Sequence, residues 1–263
     1  MFAHDNGSGT PVVLLHGFGL DHRSLLPLEP TFTRSGGWRR LYLDLPGATG
    51  TPADGISSTQ EVAEATVAEI RERLGDTPFA VLGCSFGGMI ARYVAHALRP
   101  QVLGLATVAG VFVAAHARRD VPARTVLRHE PEVDAILGAA VEQYREDAVV
   151  ESADDARAFL EYLLPGLDGA DPDAIARIGA RYSLDREPED AHPEPFLAPA
   201  LHITGRQDHV VGYADAWRRV AHYPHATVTA LDAAGHNLLF EQAGLCAALV
   251  TDWLDRIRRT TGN

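Results

Sequence analysis

Short apolar runs alternate along this chain with longer amphipathic ones, and that alternation restricts the fold more than any other feature. Residues 12–15, 41–43, 79–82, 102–108, 201–204 and 227–231 are brief and rich in aliphatic or β-branched side chains, so each reads as a buried strand. Between the second and third runs, Val62, Ala65, Val67 and Ile70 recur among Glu and Arg at near-helical spacing over 59–74, with Gly75 as the stop. After the third, Met89, Ile90, Tyr93, Val94, Ala97 and Leu98 form a helical stripe that ends before Pro100. Strands separated by such helices build βα units, so the expectation is an α/β fold with a mostly parallel central sheet flanked by helices.

The alternation stops between about 112 and 195, where helical segments carry their own start signals. Asp171 caps a helix whose first position is Pro172, and Ser152 opens another with acidic residues at its positive end. The chain therefore divides into a first core part (1–111), an inserted helical subdomain (112–197) and a second core part (198–263). The four prolines between 188 and 199 predict a stiff, extended connector. The acidic clusters in 146–155 and 185–190 read as solvated helix ends and linker. A length of 263 residues fits one domain carrying an insertion.

All 23 basic residues are Arg, and Lys is absent. Schiff-base catalysis, pyridoxal-phosphate chemistry and the Walker A loop each require a lysine amine, so none is available. Abundant Ala and Arg without Lys also suggests a GC-rich bacterial genome. The net charge of −12 disfavours nucleic acid and anionic membranes, and no segment reaches the roughly 18 apolar residues of a membrane span. Cys84 and Cys246 are too few and too far apart for a disulfide framework or a zinc ribbon. The first residues lack the basic region and the apolar stretch of about 7–15 residues of a secretory signal, which makes the cytoplasm the expected location.

Chemistry concentrates in Gly83-Cys84-Ser85-Phe86-Gly87, a G-x-S-x-G sequence that follows a strand and opens a helix. Small flanking residues let the serine occupy a sharp, strained turn that presents its hydroxyl. A serine hydroxyl needs a base, usually a histidine oriented by a carboxylate. His236, in a Gly-containing loop after the last strand, and Asp208, just beyond the 201–204 strand, stand at the same carboxyl edge of the sheet. The base is expected to titrate near free imidazole, around pH 6–7. Asp21 and Asp232 are the alternative acids. His16-Gly17-Phe18-Gly19 follows the first strand and can turn amides toward the serine, so the backbone N–H groups of Phe18 and Phe86 are the candidate oxyanion donors. His16 itself reads as a loop-fixing residue, His209 as pointing away, and Cys84 as a small packing residue.

His-Gly-Phe-Gly, Asp44-Leu45-Pro46-Gly47, Gly-Cys-Ser-Phe-Gly-Gly, Gly-Arg-Gln-Asp and Gly-His-Asn-Leu, in that order from about residue 11 onward, resemble the successive motifs of the α/β-hydrolase superfamily. The resemblance implies Ser85 as nucleophile, Asp208 as acid, His236 as base, and the Phe18 and Phe86 amides as the oxyanion hole. It also makes the helical insertion a cap over the substrate pocket. Two departures stand out: the N-terminal hairpin must be shortened, and Ala48 occupies a position where the family usually has His.

The expected activity is hydrolysis of an ester, thioester, lactone or activated carbon–carbon bond in a small organic molecule through an acyl-serine, with a carboxylesterase as the simplest case. No cofactor or metal is implied, and the chain is expected to act as a monomer or homodimer. A cofactor-free non-hydrolytic catalyst or a small-ligand receptor on the same fold is the alternative. An aspartate-nucleophile hydrolase is excluded by Ser85, a dinucleotide fingerprint by His22, and a zinc protease by His129-Glu130-Pro131, which lacks the second histidine.

Overall fold

The computed structural model of the chain describes residue 1 and residues 3–262. Its strands run in chain order as β1 (Ala3–Asn6), β2 (Thr10–Leu15), β3 (Trp38–Leu43), β4 (Phe79–Cys84), β5 (Val102–Val108), β6 (Arg128–His129), β7 (Val150–Glu151), β8 (Ala200–Gly205) and β9 (Ala226–Leu231). Seven of them form one sheet in the order β1-β3-β2-β4-β5-β8-β9, while β6 and β7 pair only with each other. All pairings are parallel except that of β1, which runs antiparallel to β3. The N-terminal antiparallel element is thus a single short strand on the edge, next to β3 and not to its sequence neighbour β2.

Val12 to Leu15 are continuously apolar because both faces of β2 are covered, and all four are at most 1% exposed. Helices α1 (Glu29–Ser35), α2 (Thr59–Leu74) and α3 (Phe86–Ala97) form the first crossovers. β2 connects outward to β3, whereas β3 to β4 and β4 to β5 run the other way, so right-handed crossovers place α1 on one face and α2 and α3 on the other. Ser58 caps α2 by accepting the Glu61 N–H, and Gly75 ends it. The reversal of direction opens a crevice between the carboxyl ends of β2 and β4, which is where doubly wound sheets bind ligands.

Between β5 and β8 lie the short helices α4 (Val133–Leu137), α5 (Val141–Arg145), α6 (Ala153–Ala158), α7 (Leu164–Gly169), α8 (Pro172–Ala180) and α9 (Pro188–Ala191). Ser152 and Asp171 cap α6 and α8 through their side chains. A π-helical turn, Phe159–Leu163, joins α6 to α7 just before Pro165, whose missing N–H cannot continue an α-helical ladder. Val133, Leu137, Tyr144, Ala148, Ala156, Phe159 and Leu163 give this region its own apolar cluster. After β8 the chain adds α10 (Ala214–Arg218), α11 (Leu238–Glu241) and α12 (Ala243–Thr261), the last packing beside α1.

Two expectations need correction. The proline-rich connector is not wholly extended, because Pro188 at the first helical position starts the single turn α9. The acidic clusters are not simply solvated either. Glu189 is 4% exposed and holds the fully buried Arg92 through Nε–Oε1 (2.7 Å) and Nη2–Oε2 (2.5 Å) bonds. Tyr223 also donates to it at 2.5 Å. Glu151 is buried with His129 Nδ1 at 2.7 Å. In both cases the partner lies far off in sequence, so local charge density misleads.

Candidate active site

The turn at Ser85 is built by glycines. A Cβ on Gly83 would collide with the Gly87 carbonyl, and one on Gly87 with the carbonyl oxygens of Leu15 and His16. Only glycine at both places lets α3 start directly against β2. Ser85 takes φ 52°, ψ −117°, a left-handed conformation that costs an ordinary residue of order 1–3 kcal/mol and persists only when its surroundings over-determine it. Here the end of β5 does so: the Ser85 N–H donates to the Val108 carbonyl (2.9 Å), and the Ser85 carbonyl accepts from Val111 (3.1 Å) and Gly88 (2.9 Å).

The three side chains singled out in the sequence meet in one hydrogen-bonded chain. Ser85 Oγ lies 2.9 Å from His236 Nε2, and His236 Nδ1 lies 3.0 Å from Asp208 Oδ2. Asp208 is fully buried at the end of the β8 turn, and its Oδ1 accepts the amides of Val210 and Val211, each at 2.9 Å. Burial opposes its charge, but the ring of His236 and these amides hold its carboxyl below the ordinary value. Burial likewise opposes a charged His236; the charge and hydrogen bond of Asp208, assisted by Asp147, outweigh it and raise the ring to about 9. Arg119 pulls the other way. The His236 ring therefore titrates well above free imidazole, not near it, because a buried anion faces it across a single hydrogen bond.

Phe18 and Phe86 flank Ser85 from the ends of β2 and β4. Among the described residues no protein acceptor takes either backbone N–H, so both amides are left open to an acceptor entering beside Ser85. Their rings pack 5.1 Å apart, and Tyr182 of the inserted region closes a three-ring wall at 5.3 Å and 5.4 Å. His16 fixes the loop as expected: Nδ1–H donates to the Gly17 carbonyl (2.7 Å) while Nε2 accepts the Leu45 N–H (2.8 Å). Burial lowers its pKa, which suits this neutral tautomer.

The alternative acids lie elsewhere. Asp21 caps the turn after β2 and binds Arg23, and exposed Asp232 accepts from Gln207 (2.9 Å). His209 turns away, donating from Nε2 to the Glu146 carbonyl at 2.9 Å. Cys84 is a free thiol that burial pushes up to about 12.

Ser85 and His236 open into a cavity of about 700 Å³. Its walls are mixed but more apolar than polar, with Phe159 and Leu163 supplied by the π-helical turn and Phe240 by α11. Arg119 and Asp147 also line the pocket, and no local sequence pattern marks either of them. The Arg119 guanidinium is fixed by the carbonyls of Val113 (2.8 Å), Ala114 (3.0 Å) and Val210 (2.8 Å). The first two contacts are local, but the one to Val210 spans 91 residues and arises only when the segment after β5 meets the loop after β8, which no short motif encodes.

A family profile described as alpha/beta hydrolase fold matches residues 10–243. The chain is 24% identical to pimeloyl-[acyl-carrier protein] methyl ester esterase from Neisseria meningitidis serogroup C, covering 94% of each chain. It is 26% identical to the protein of that name from Shewanella woodyi, covering 95% of this chain and 96% of that one. Among solved structures, an alpha/beta superfamily hydrolase from Oenococcus oeni PSU-1 superimposes with a TM-score of 0.91 at 26% identity, covering 97% of this chain and 96% of that one. A thermophilic esterase from Thermogutta terrifontis shares the fold, with a TM-score of 0.71 at 19% identity and coverage of 97% and 93%.

Proposed function

The chain belongs to the alpha/beta hydrolase fold family, and from that premise we propose that it is a serine hydrolase of the carboxylesterase class, acting on a small ester or thioester. The carrying observation is the Ser85–His236–Asp208 chain at 2.9 Å and 3.0 Å, opening into a cavity of mixed, mainly apolar lining. Ser85 Oγ attacks the acyl carbon while its proton passes to His236 Nε2. The carbonyl oxygen becomes an oxyanion between the Phe18 and Phe86 amides. The tetrahedral intermediate then expels the alcohol or thiol, which takes the proton back from His236, and leaves the acyl group on Ser85. Water, deprotonated by His236, attacks the acyl carbon and releases the carboxylic acid and free Ser85.

Residues 112–197 act as the cap, a role supported by Phe159, Leu163, Leu167 and Tyr182 lining the cavity. Relatives named as methyl ester esterases favour a small alcohol as the leaving group. A cytoplasmic setting agrees with the two free thiols, and no helix among the described residues is long and apolar enough to cross a membrane.

Fluorophosphonate labelling together with turnover of p-nitrophenyl butyrate tests the reading. Wild-type protein should be labelled at Ser85 and hydrolyse the ester, while Ser85→Ala should melt like wild type yet lose at least about 10³-fold in kcat. Turnover that survives in Ser85→Ala overturns it, and labelling without turnover of any ester directs attention to a non-hydrolytic catalyst or receptor.

A further inference from the structure

A second carboxylate reaches the loop that carries His236. Glu241, at the end of α11, accepts the Gly235 N–H on Oε2 at 2.6 Å and the Val149 and Val150 N–H groups on Oε1 at 2.8 Å and 3.2 Å. Burial pushes its carboxyl up despite these amides, and no cation pairs with it among the described residues. A half-buried carboxylate held only by backbone amides is costly unless the geometry it imposes is useful. The amides belong to two segments distant in sequence: Gly235 immediately precedes His236, and Val149 and Val150 follow Asp147, a pocket residue whose charge acts on His236.

A separate observation presses the same two segments together. A Cβ at position 235 would lie 2.7 Å from Val149 Cγ1 and 3.1 Å from the Asp147 carbonyl. Val149 is fully buried at this junction. Glycine is therefore required for the loop and the inserted region to touch, and the Glu241 carboxylate spans the seam where they do.

We propose that Glu241 is a positioning residue that fastens the His236 loop to the 147–150 segment of the insertion, so that the base and one wall of the pocket are set as a single piece. This rests on the hydrolase reading given above. Loosening the strut displaces His236 relative to Ser85 and withdraws Asp147 at the same time. Three charged groups face His236, namely Asp208, Asp147 and Arg119, and only Asp147 arrives on the segment Glu241 holds. Asp155 is the charged neighbour that acts on Glu241 itself.

The test uses Glu241→Gln in the full chain, with kcat expressed per fluorophosphonate-titrated Ser85. An amide in place of the carboxylate keeps the shape but offers one acceptor oxygen where two serve. We expect kcat on p-nitrophenyl butyrate to fall about tenfold or more, since an ångström of misplacement costs up to about 10²-fold. The acid limb of kcat/KM should move to lower pH, and amide hydrogen exchange should quicken together in 147–151 and 233–237. Wild-type kcat with an unmoved limb, or faster exchange in only one segment, overturns the proposal. Gly235→Ala attacks the seam from the other side and decides the matter if the Gln variant does not fold: faster exchange at 147–151 supports the strut, and unchanged exchange there refutes it. Ser85→Ala separates the two claims, because turnover surviving in that variant sinks the hydrolase reading, whereas a dead Ser85→Ala beside an unimpaired Glu241→Gln sinks only this one.

Discussion

Replacing Asp208 by Asn keeps the shape of the site while removing the charge that faces His236. In the wild-type protein that charge and its hydrogen bond overcome burial and raise the ring from 6.5 to about 9, a stabilisation of the imidazolium of ~3 kcal/mol at about 1.4 kcal/mol per pH unit. The imidazolium is what forms as Ser85 attacks, so its loss alone removes about two decades of rate. An asparagine can also hold the ring in the wrong tautomer, with Nε2 protonated against the serine, and this adds to the deficit. Together these give a fall in kcat of about 10²–10⁴ for Asp208→Asn. With Asp147 opposing Arg119 and burial still disfavouring charge, the acid limb of kcat/KM should drop from about 9 to 7 or below. Stopped-time hydrolysis of p-nitrophenyl butyrate from about pH 5 to pH 10 measures both quantities. A loss under tenfold on the plateau, or a limb that stays near 9, refutes the argument that Asp208 powers the base.

The same folded-state value has a stability consequence with a definite sign. Because His236 sits at about 9 when folded against 6.5 unfolded, its contribution is fully present below about pH 6.5 and is lost as pH rises through 9, so the Tm gap between wild type and Asp208→Asn should narrow across that window. Asp21→Asn and Asp232→Asn should each cost less than about tenfold in kcat, since neither carboxylate bonds to His236; a severe defect in either would reassign the acid. Arg92→Leu should destabilise by about 3–5 kcal/mol, because it strands the buried Glu189, and lower Tm by roughly 10 °C; the Arg92→Leu, Glu189→Leu double variant should recover much of that loss in urea denaturation. Gly87→Ala should fail to yield soluble, labelled protein, since its Cβ meets the β2 carbonyls, and a folded, active variant would show the elbow to be looser than this geometry requires.

The parts legible in the sequence were those carried by local pattern. The six apolar runs are strands, and the 59–74 stripe is a helix with the expected Gly75 stop. Five of the runs are largely buried, because covering both faces of a parallel sheet leaves a continuous apolar signature that needs no distant partner to be read. Residues 227–231, in contrast, belong to the edge strand β9 and of them only Leu231 is buried, which corrects the expectation of a buried strand there. Ser85 was visible because the strained turn needs glycine on both sides, and Asp208 and His236 because each follows a strand at one sheet edge. Local pattern failed where charge is paired over long separations. Arg92 interrupts an apolar helix and Glu189 sits in an acidic linker, yet 97 residues apart they neutralise each other in the interior. The proton affinity of the His236 ring escaped even though Asp208 was its expected partner, because neither the full burial of Asp208 at 3.0 Å nor the approach of Asp147 from the segment between β5 and β8 can be read locally. Sequence thus locates a reacting group by the backbone it demands, whereas the group's strength is set by tertiary neighbours. For this chain those neighbours come partly from 112–197, so exchanging that segment for another helical insertion should change the pH dependence of Ser85 chemistry as well as the shape of the pocket.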